Sequence, residues 1–138
     1  MARARSRLSA GTVVLGCEAL VRWREADQRV TAFVREAQDS NFRVVVSAVT
    51  PVEAQDIRVK SDRLRWYLSR LKIEPVTEDI ASRPIELLRD ARLQGRKYAI
   101  DAVVAATALR SVRPAVILAS DADDMSKLCG KAVQVVPV

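Results

Sequence analysis

In a chain without histidine, the residues best placed to do chemistry are acids at the ends of apolar runs. The stretch "VILASDADDM", from Val116 to Met125, runs straight into Asp121, Asp123 and Asp124. "VVVSAVTPVEA" carries Glu53 just past its apolar part, and "AIDAVVAATAL" carries Asp101. Without imidazole there is no Ser-His-Asp or Cys-His pair, no histidine acid–base couple and no imidazole metal ligand. Two cysteines, Cys17 and Cys129, make neither a disulfide framework nor a zinc cluster. Oxygen chemistry remains: two or three carboxylates holding a hard cation such as Mg²⁺ or Mn²⁺.

Each acid also has a purely structural reading. "TPVE", Thr50 to Glu53, has the form of a capping box, with Thr50 as N-cap and proline in the first helical position. Asp101 can be the N-cap of "AVVAATAL", directly after a turn "QGRKYAI". Ser120 with Asp123 makes a further box, and acids in a first helical turn suit the helix dipole. Capping accounts for any one of these junctions more readily than for all three together.

The elements that must position these acids follow from the apolar patterning. Thr12–Leu15, Arg43–Val49, Ala115–Ala119 and Ala132–Val138 read as strands, with Lys72–Val76 as a weaker fifth. The first three are nearly continuous β-branched and aliphatic runs, the pattern of strands covered on both faces in a parallel sheet. Helical spacing fills the intervals. Glu18–Ser40 reads as two helices, followed by Pro51–Leu71, Thr77–Leu93 and an alanine-rich Asp101–Arg110. Alternating strands and helices predict βαβ units, a three-layer α/β/α fold and a mainly parallel, Rossmann-like sheet. In such a sheet ligands bind beyond the carboxyl ends of the strands, where these acids fall.

The 138 residues suit one domain, over 12–138, preceded by a flexible basic tail over 1–11. An apolar fraction of 49% and a charged fraction of 29% indicate a globular chain, and no apolar run is long enough to span a membrane. "MARARSR" followed by "LSAGTVVLGC" has the outline of a lipoprotein signal. Cleavage there would remove the first strand, which argues against that reading, and two cysteines without a framework suit a reducing cytoplasm. The excess of 23 Lys and Arg over 17 Asp and Glu favours a polyanionic or acidic partner. Arg3, Arg5, Arg7, Arg58, Lys60, Arg63, Arg65, Arg96 and Lys97 could frame an acidic pocket and hold phosphates near it. Trp66 and Tyr67 are either a stacking face or core or dimer contacts.

"VVLGCEAL", "VVVSAVTPVEA", "AIDAVVAATAL" and "VILASDADDM" stand in the order and approximate spacing of the four PIN-domain motifs. The chain resembles the VapC-type toxins of bacterial toxin–antitoxin pairs from about Thr12 to Val136. The resemblance implies a PIN-like fold, a Mg²⁺- or Mn²⁺-dependent endoribonuclease acting on single-stranded or structured RNA, a homodimer and a VapB-like antitoxin in the active-site groove. It also implies that Glu53, Asp101 and Asp121 are metal ligands and catalytic residues, with Asp124 accompanying them. Two departures stand out. Gly16 occupies the position where the first motif carries Asp, and Ala119 the position where the fourth often carries a hydroxyl. Glu18 lies two residues beyond Gly16 and is the nearest substitute ligand, whereas the thiol of Cys17 is a poor one for Mg²⁺.

Two other readings compete. A catalytically silent PIN-like protein would bind RNA or an antitoxin without cleaving. A receiver-type phosphoacceptor would need acids at the end of the first strand, where this chain has Gly16.

Overall fold

The computed structural model describes residues 9–138, so most of the expected tail over 1–11, with Arg3, Arg5 and Arg7, lies outside the described residues. All five expected strands form: β1 (Gly11–Leu15), β2 (Phe42–Ser47), β3 (Lys72–Glu74), β4 (Ala115–Ala119) and β5 (Gln134–Pro137). They make one sheet in the order β3-β2-β1-β4-β5, parallel throughout. The apolar runs without alternation are explained by cover on both faces. Val13, Leu15, Val44, Val46 and Leu118 turn to one layer, and Val14, Val45, Ile117 and Ala119 to the other. Each fully buried Val, Leu or Ile contributes about 1.5–3 kcal/mol relative to exposure.

Among the described residues there are seven helices: α1 (Cys17–Arg24), α2 (Gln28–Asp39), α3 (Thr50–Glu53), α4 (Ser61–Ser69), α5 (Glu78–Ala91), α6 (Gly95–Leu109) and α7 (Ala122–Cys129). The expected pair over Glu18–Ser40 is α1 and α2. They part at Ala26, which takes φ 60°, and at Asp27, whose carboxylate accepts from the Val30 N–H at 3.0 Å. The expected helix over Pro51–Leu71 divides into α3 and α4 around the turn that holds Asp56 and Arg58. Helices α5, α6 and α7 cover one face of the sheet, and α1 and α2 the other. The alanines of α6 serve the expected close approach, since Ala102, Ala105, Ala106 and Ala108 are fully buried. Among the described residues no helix is long and apolar enough to cross a membrane.

At the opposite end of β1, Gly11 is needed for lack of space. A Cβ there would lie about 2.5 Å from the Phe42 ring and from the Pro114 carbonyl oxygen. The main chain of β1 is thereby seated tightly between β2 and β4, and this fixes where its far end emerges.

Candidate active site

Neighbouring parallel strands β2, β1 and β4 end side by side, and the chain leaves each tip into a helix. Gly16 follows β1, Glu53 lies in α3 after β2, and Asp121 follows β4. Asp101 comes from α6, which packs across the same end of the sheet. These elements enclose a cleft of about 420 Å³ lined by Gly16, Cys17, Glu18, Glu53, Asp101 and Asp121.

The capping readings do not survive. Helix α3 begins at Thr50 with Val49 as its N-cap and no side-chain cap. The Ser47 hydroxyl instead accepts from the Val49 N–H at 3.4 Å, closing the turn that Thr50 was expected to close. Thr50 is buried, and its hydroxyl has no partner among the described residues. Asp101 does not start a helix: "GRKYAI" continues the helical face, α6 starts at Gly95, and Asp101 lies inside it. Asp121 is the N-cap of α7 but makes no side-chain cap bond, so the expected Ser120–Asp123 box is not formed. The carboxylates of Glu53, Asp101 and Asp121 are therefore left to the cleft.

The electrostatics register their proximity. Burial, and then the charges of Glu53, Asp121 and Asp124, push Asp101 up to about 6. Asp124 is not a lining residue. It is half-buried, carries a 3.7 Å pair to Lys127, and acts on Asp101 through its charge. Cys17 is pushed up to about 12 by burial, by its hydrogen bond to Glu53 and by the charges of Glu53 and Glu18. The thiol is therefore neutral at physiological pH and serves as a donor to Glu53. Glu18 lines the cleft while accepting from Arg22 Nε at 3.0 Å.

Among the described residues no three His, Cys, Asp or Glu groups come together as a set able to hold one metal ion. The acids share a cleft, and the strand tip between those that carry Glu53 and Asp121 ends in Gly16. Adjacent strands lie about 4.8 Å apart, so the tips of β2 and β4 stand about 10 Å apart with the tip of β1 between them. Gly16 offers no side chain at that central position. Its φ of −74° and ψ of 178° suit any residue. The constraint is close approach: its N–H donates to the Leu118 carbonyl at 2.9 Å, and a Cβ would sit 3.0 Å from that oxygen. The donor chemistry still fits Mg²⁺, which is commonly held by one or two carboxylates, waters and substrate phosphates.

Two of the expected basic residues reach the cleft. Arg96 and Lys97 line it from the first turn of α6, where the helix dipole disfavours cations. Helix stability therefore does not account for them. Arg58 is taken up by Asp56, which it holds down at about 2. Arg63 lies 5.7 Å from the Tyr67 ring centroid and donates to the Arg24 carbonyl at 3.4 Å. Lys60 and Arg65 do not line the cleft. Trp66 and Tyr67 are not in the core.

Sequence reasoning missed Arg24. It is 4% exposed, and its Nη1 donates to the Ala54 carbonyl at 3.1 Å, immediately after Glu53. Spacing gave no signal for it, because its partner lies on another element. The hydrogen bond of Cys17 to Glu53 likewise depends on how α1 and α3 meet.

No protein-family model matches the sequence, and no curated protein aligns with it significantly. Among solved structures, the fold is similar to a chain in the crystal structure of VapBC2 from Rickettsia felis bound to a DNA fragment from their promoter. The superposition has a TM-score of 0.70 at 17% sequence identity and covers 92% of this chain and 98% of that one. The likeness is one of fold, and it agrees with the parallel topology described above: this chain has a PIN-like α/β fold, shared with a chain of a VapBC complex.

Proposed function

We propose that the chain is a metal-dependent endoribonuclease of the VapC type, impaired at its first ligand position by Gly16. The observation that carries this reading is the cleft that collects Glu53, Asp101 and Asp121 at adjacent strand ends, with Arg96 and Lys97 in its lining. A bound Mg²⁺ or Mn²⁺ would polarise the scissile phosphodiester and lower the pKa of an attacking water. Glu53, Asp101 and Asp121 would hold the ion through oxygen. Without the ion, burial and the neighbouring carboxylates hold Asp101 up at about 6, and a bound cation would relieve that repulsion. Arg96 and Lys97 would draw RNA phosphates against the acids' repulsion. The resemblance of the motifs adds a homodimer and a VapB-like antitoxin as partners; the antitoxin is also supported by the VapBC complex that shares the fold.

The catalytically silent alternative is favoured by the missing carboxylate at Gly16 and by the absence of a three-ligand group among the described residues. One experiment separates the two. The chain as given, Gly16→Asp, and Gly16→Asp with Asp101→Asn are compared on one RNA with Mg²⁺ or Mn²⁺. Activity is expected chiefly in Gly16→Asp, about 10- to 100-fold or more above the parent, since even outer-shell ligand partners matter that much. Equal cleavage by parent and a Gly16→Asp variant whose melting temperature shows that its Cβ is accommodated beside the Leu118 carbonyl would show that Glu18 or water already completes the site. RNA binding without cleavage by any of the three would establish the silent binder.

A further inference from the structure

We propose that the groove between α2 and α4 is a stacking subsite for single-stranded nucleic acid, outside the acidic cleft. This inference rests on the reading of the chain as an RNA-directed protein. Helix α4 and its exit read "RLRWYLSRLK", Arg63 to Lys72, with four cations around two adjacent aromatic rings. Core packing accounts for Leu68 and Leu71, which lie half-buried against the core, but not for the cations and rings beside them. Trp66 is 53% exposed. Tyr67 stands edge-on to Trp66 at 5.0 Å and to Trp23 at 5.2 Å, so the three rings brace one another while Trp66 stays open. The guanidinium of Arg70 lies over Trp66, 4.5 Å from the ring centroid.

The groove beside these rings, about 240 Å³, is lined by Trp23, Arg35, Gln38, Trp66 and Arg70, with no carboxylate in its lining. It is smaller than the roughly 300–1,000 Å³ typical of pockets that enclose a small molecule. Its size suits one flat group of a longer polymer. Cations carry the phosphates, an indole takes the base face, and Gln38 offers both a donor and an acceptor to a base edge. An acidic peptide would satisfy the arginines but would leave the open indole unused. The net charge of +6 favours a polyanion over a neutral partner.

The test is fluorescence anisotropy of a labelled oligouridine 12-mer, in EDTA so that no strand is cut, at several salt concentrations. Trp66→Ala should weaken binding about 10-fold or more, and Trp66→Phe should restore most of it. Arg35→Gln and Arg70→Gln should each lower the slope of log K against log salt by about 0.7. Unchanged circular dichroism would verify that the variants fold, as expected for side chains outside the core. If the parent binds but Trp66→Ala stays within about twofold of it, this groove is not the subsite and the functional reading stands. If that variant instead loses a parental dimer in sedimentation while RNA affinity is unchanged, the groove belongs to a second copy and the inference is overturned. If the parent binds no RNA, the functional reading fails and takes the subsite with it.

Discussion

Asp101 is a carboxylate that folding has to pay for. Burial and the charges of Glu53, Asp121 and Asp124 raise it from 3.8 to about 6, so the folded state binds its proton more tightly than the unfolded chain does. Its favourable contribution is complete below about pH 3.8 and is lost as pH rises through about 6. A shift of roughly two units corresponds to about 3 kcal/mol, and solvent screening at this half-buried site reduces it to about 1–2 kcal/mol. We therefore expect Asp101→Asn to be more stable than the parent at pH 8 by that amount, with the gap closing towards pH 4. Urea unfolding across pH would measure it, and a pH-independent gap would mean that the cleft does not oppose this charge. A bound cation would reverse the penalty. Mn²⁺ at 100 times its Kd should stabilise the parent by about 2.7 kcal/mol. Asp101→Asn should lose most of that gain in a thermal melt, and an equal gain in both would place the ion elsewhere.

At the scale of elements, the position of Glu53 depends on α3, a single helical turn without a side-chain cap. The buried guanidinium of Arg24 ties its end to α1 through the Ala54 carbonyl. Arg24→Met should cost about 1–3 kcal/mol, the range for a charged hydrogen bond and the partner left unmet. It should also free Glu53 from Cys17. The bond and charge of Glu53 raise the Cys17 pKa more than Arg24 lowers it, so the net expectation is a fall from about 12. Faster alkylation of Cys17 at pH 9, against the buried Cys129 as internal reference, would report that release; an unchanged rate would show that Arg24 does not position α3. Helix α4 lies at the other extreme. With no buried residue it should exchange its amide hydrogens well before α6, whose alanines are sealed against the sheet.

For the whole molecule, the governing quantity is the arrangement of +6 net charge around an acidic cleft. RNA affinity should fall linearly in log–log terms as salt rises, with a slope of about −0.7 per phosphate neutralised on a single strand. Removing Lys97 from the cleft should flatten that slope by about one such step without altering the fold, since Lys97 is exposed. An identical slope for Lys97→Gln would mean that the cleft does not carry RNA. Sedimentation at micromolar concentration tests the proposed homodimer independently of cleavage.

By itself, the sequence determined the layers. Val-rich runs such as "TVVL" and "AVILA" have no polar alternate to turn towards water, so they are covered on both faces, as in a parallel sheet between helix layers. The helix pair over Glu18–Ser40 and even the short β3 were legible for similar local reasons. The family motifs pointed to Glu53, Asp101, Asp121 and Asp124, and to the vacant carboxylate at Gly16. Tertiary structure decided where those residues meet. A capping box and an N-cap are local possibilities, and they lost to a Ser47 turn and to an earlier start of α6. Arg24 and Cys17 had no pattern to announce them, because their partners come from a distant part of the chain. The strand order β3-β2-β1-β4-β5 set Gly16 between the tips that carry Glu53 and Asp121. Which side chains meet across a sheet edge depends on which strands are neighbours, a long-range pairing that no local stretch of sequence encodes.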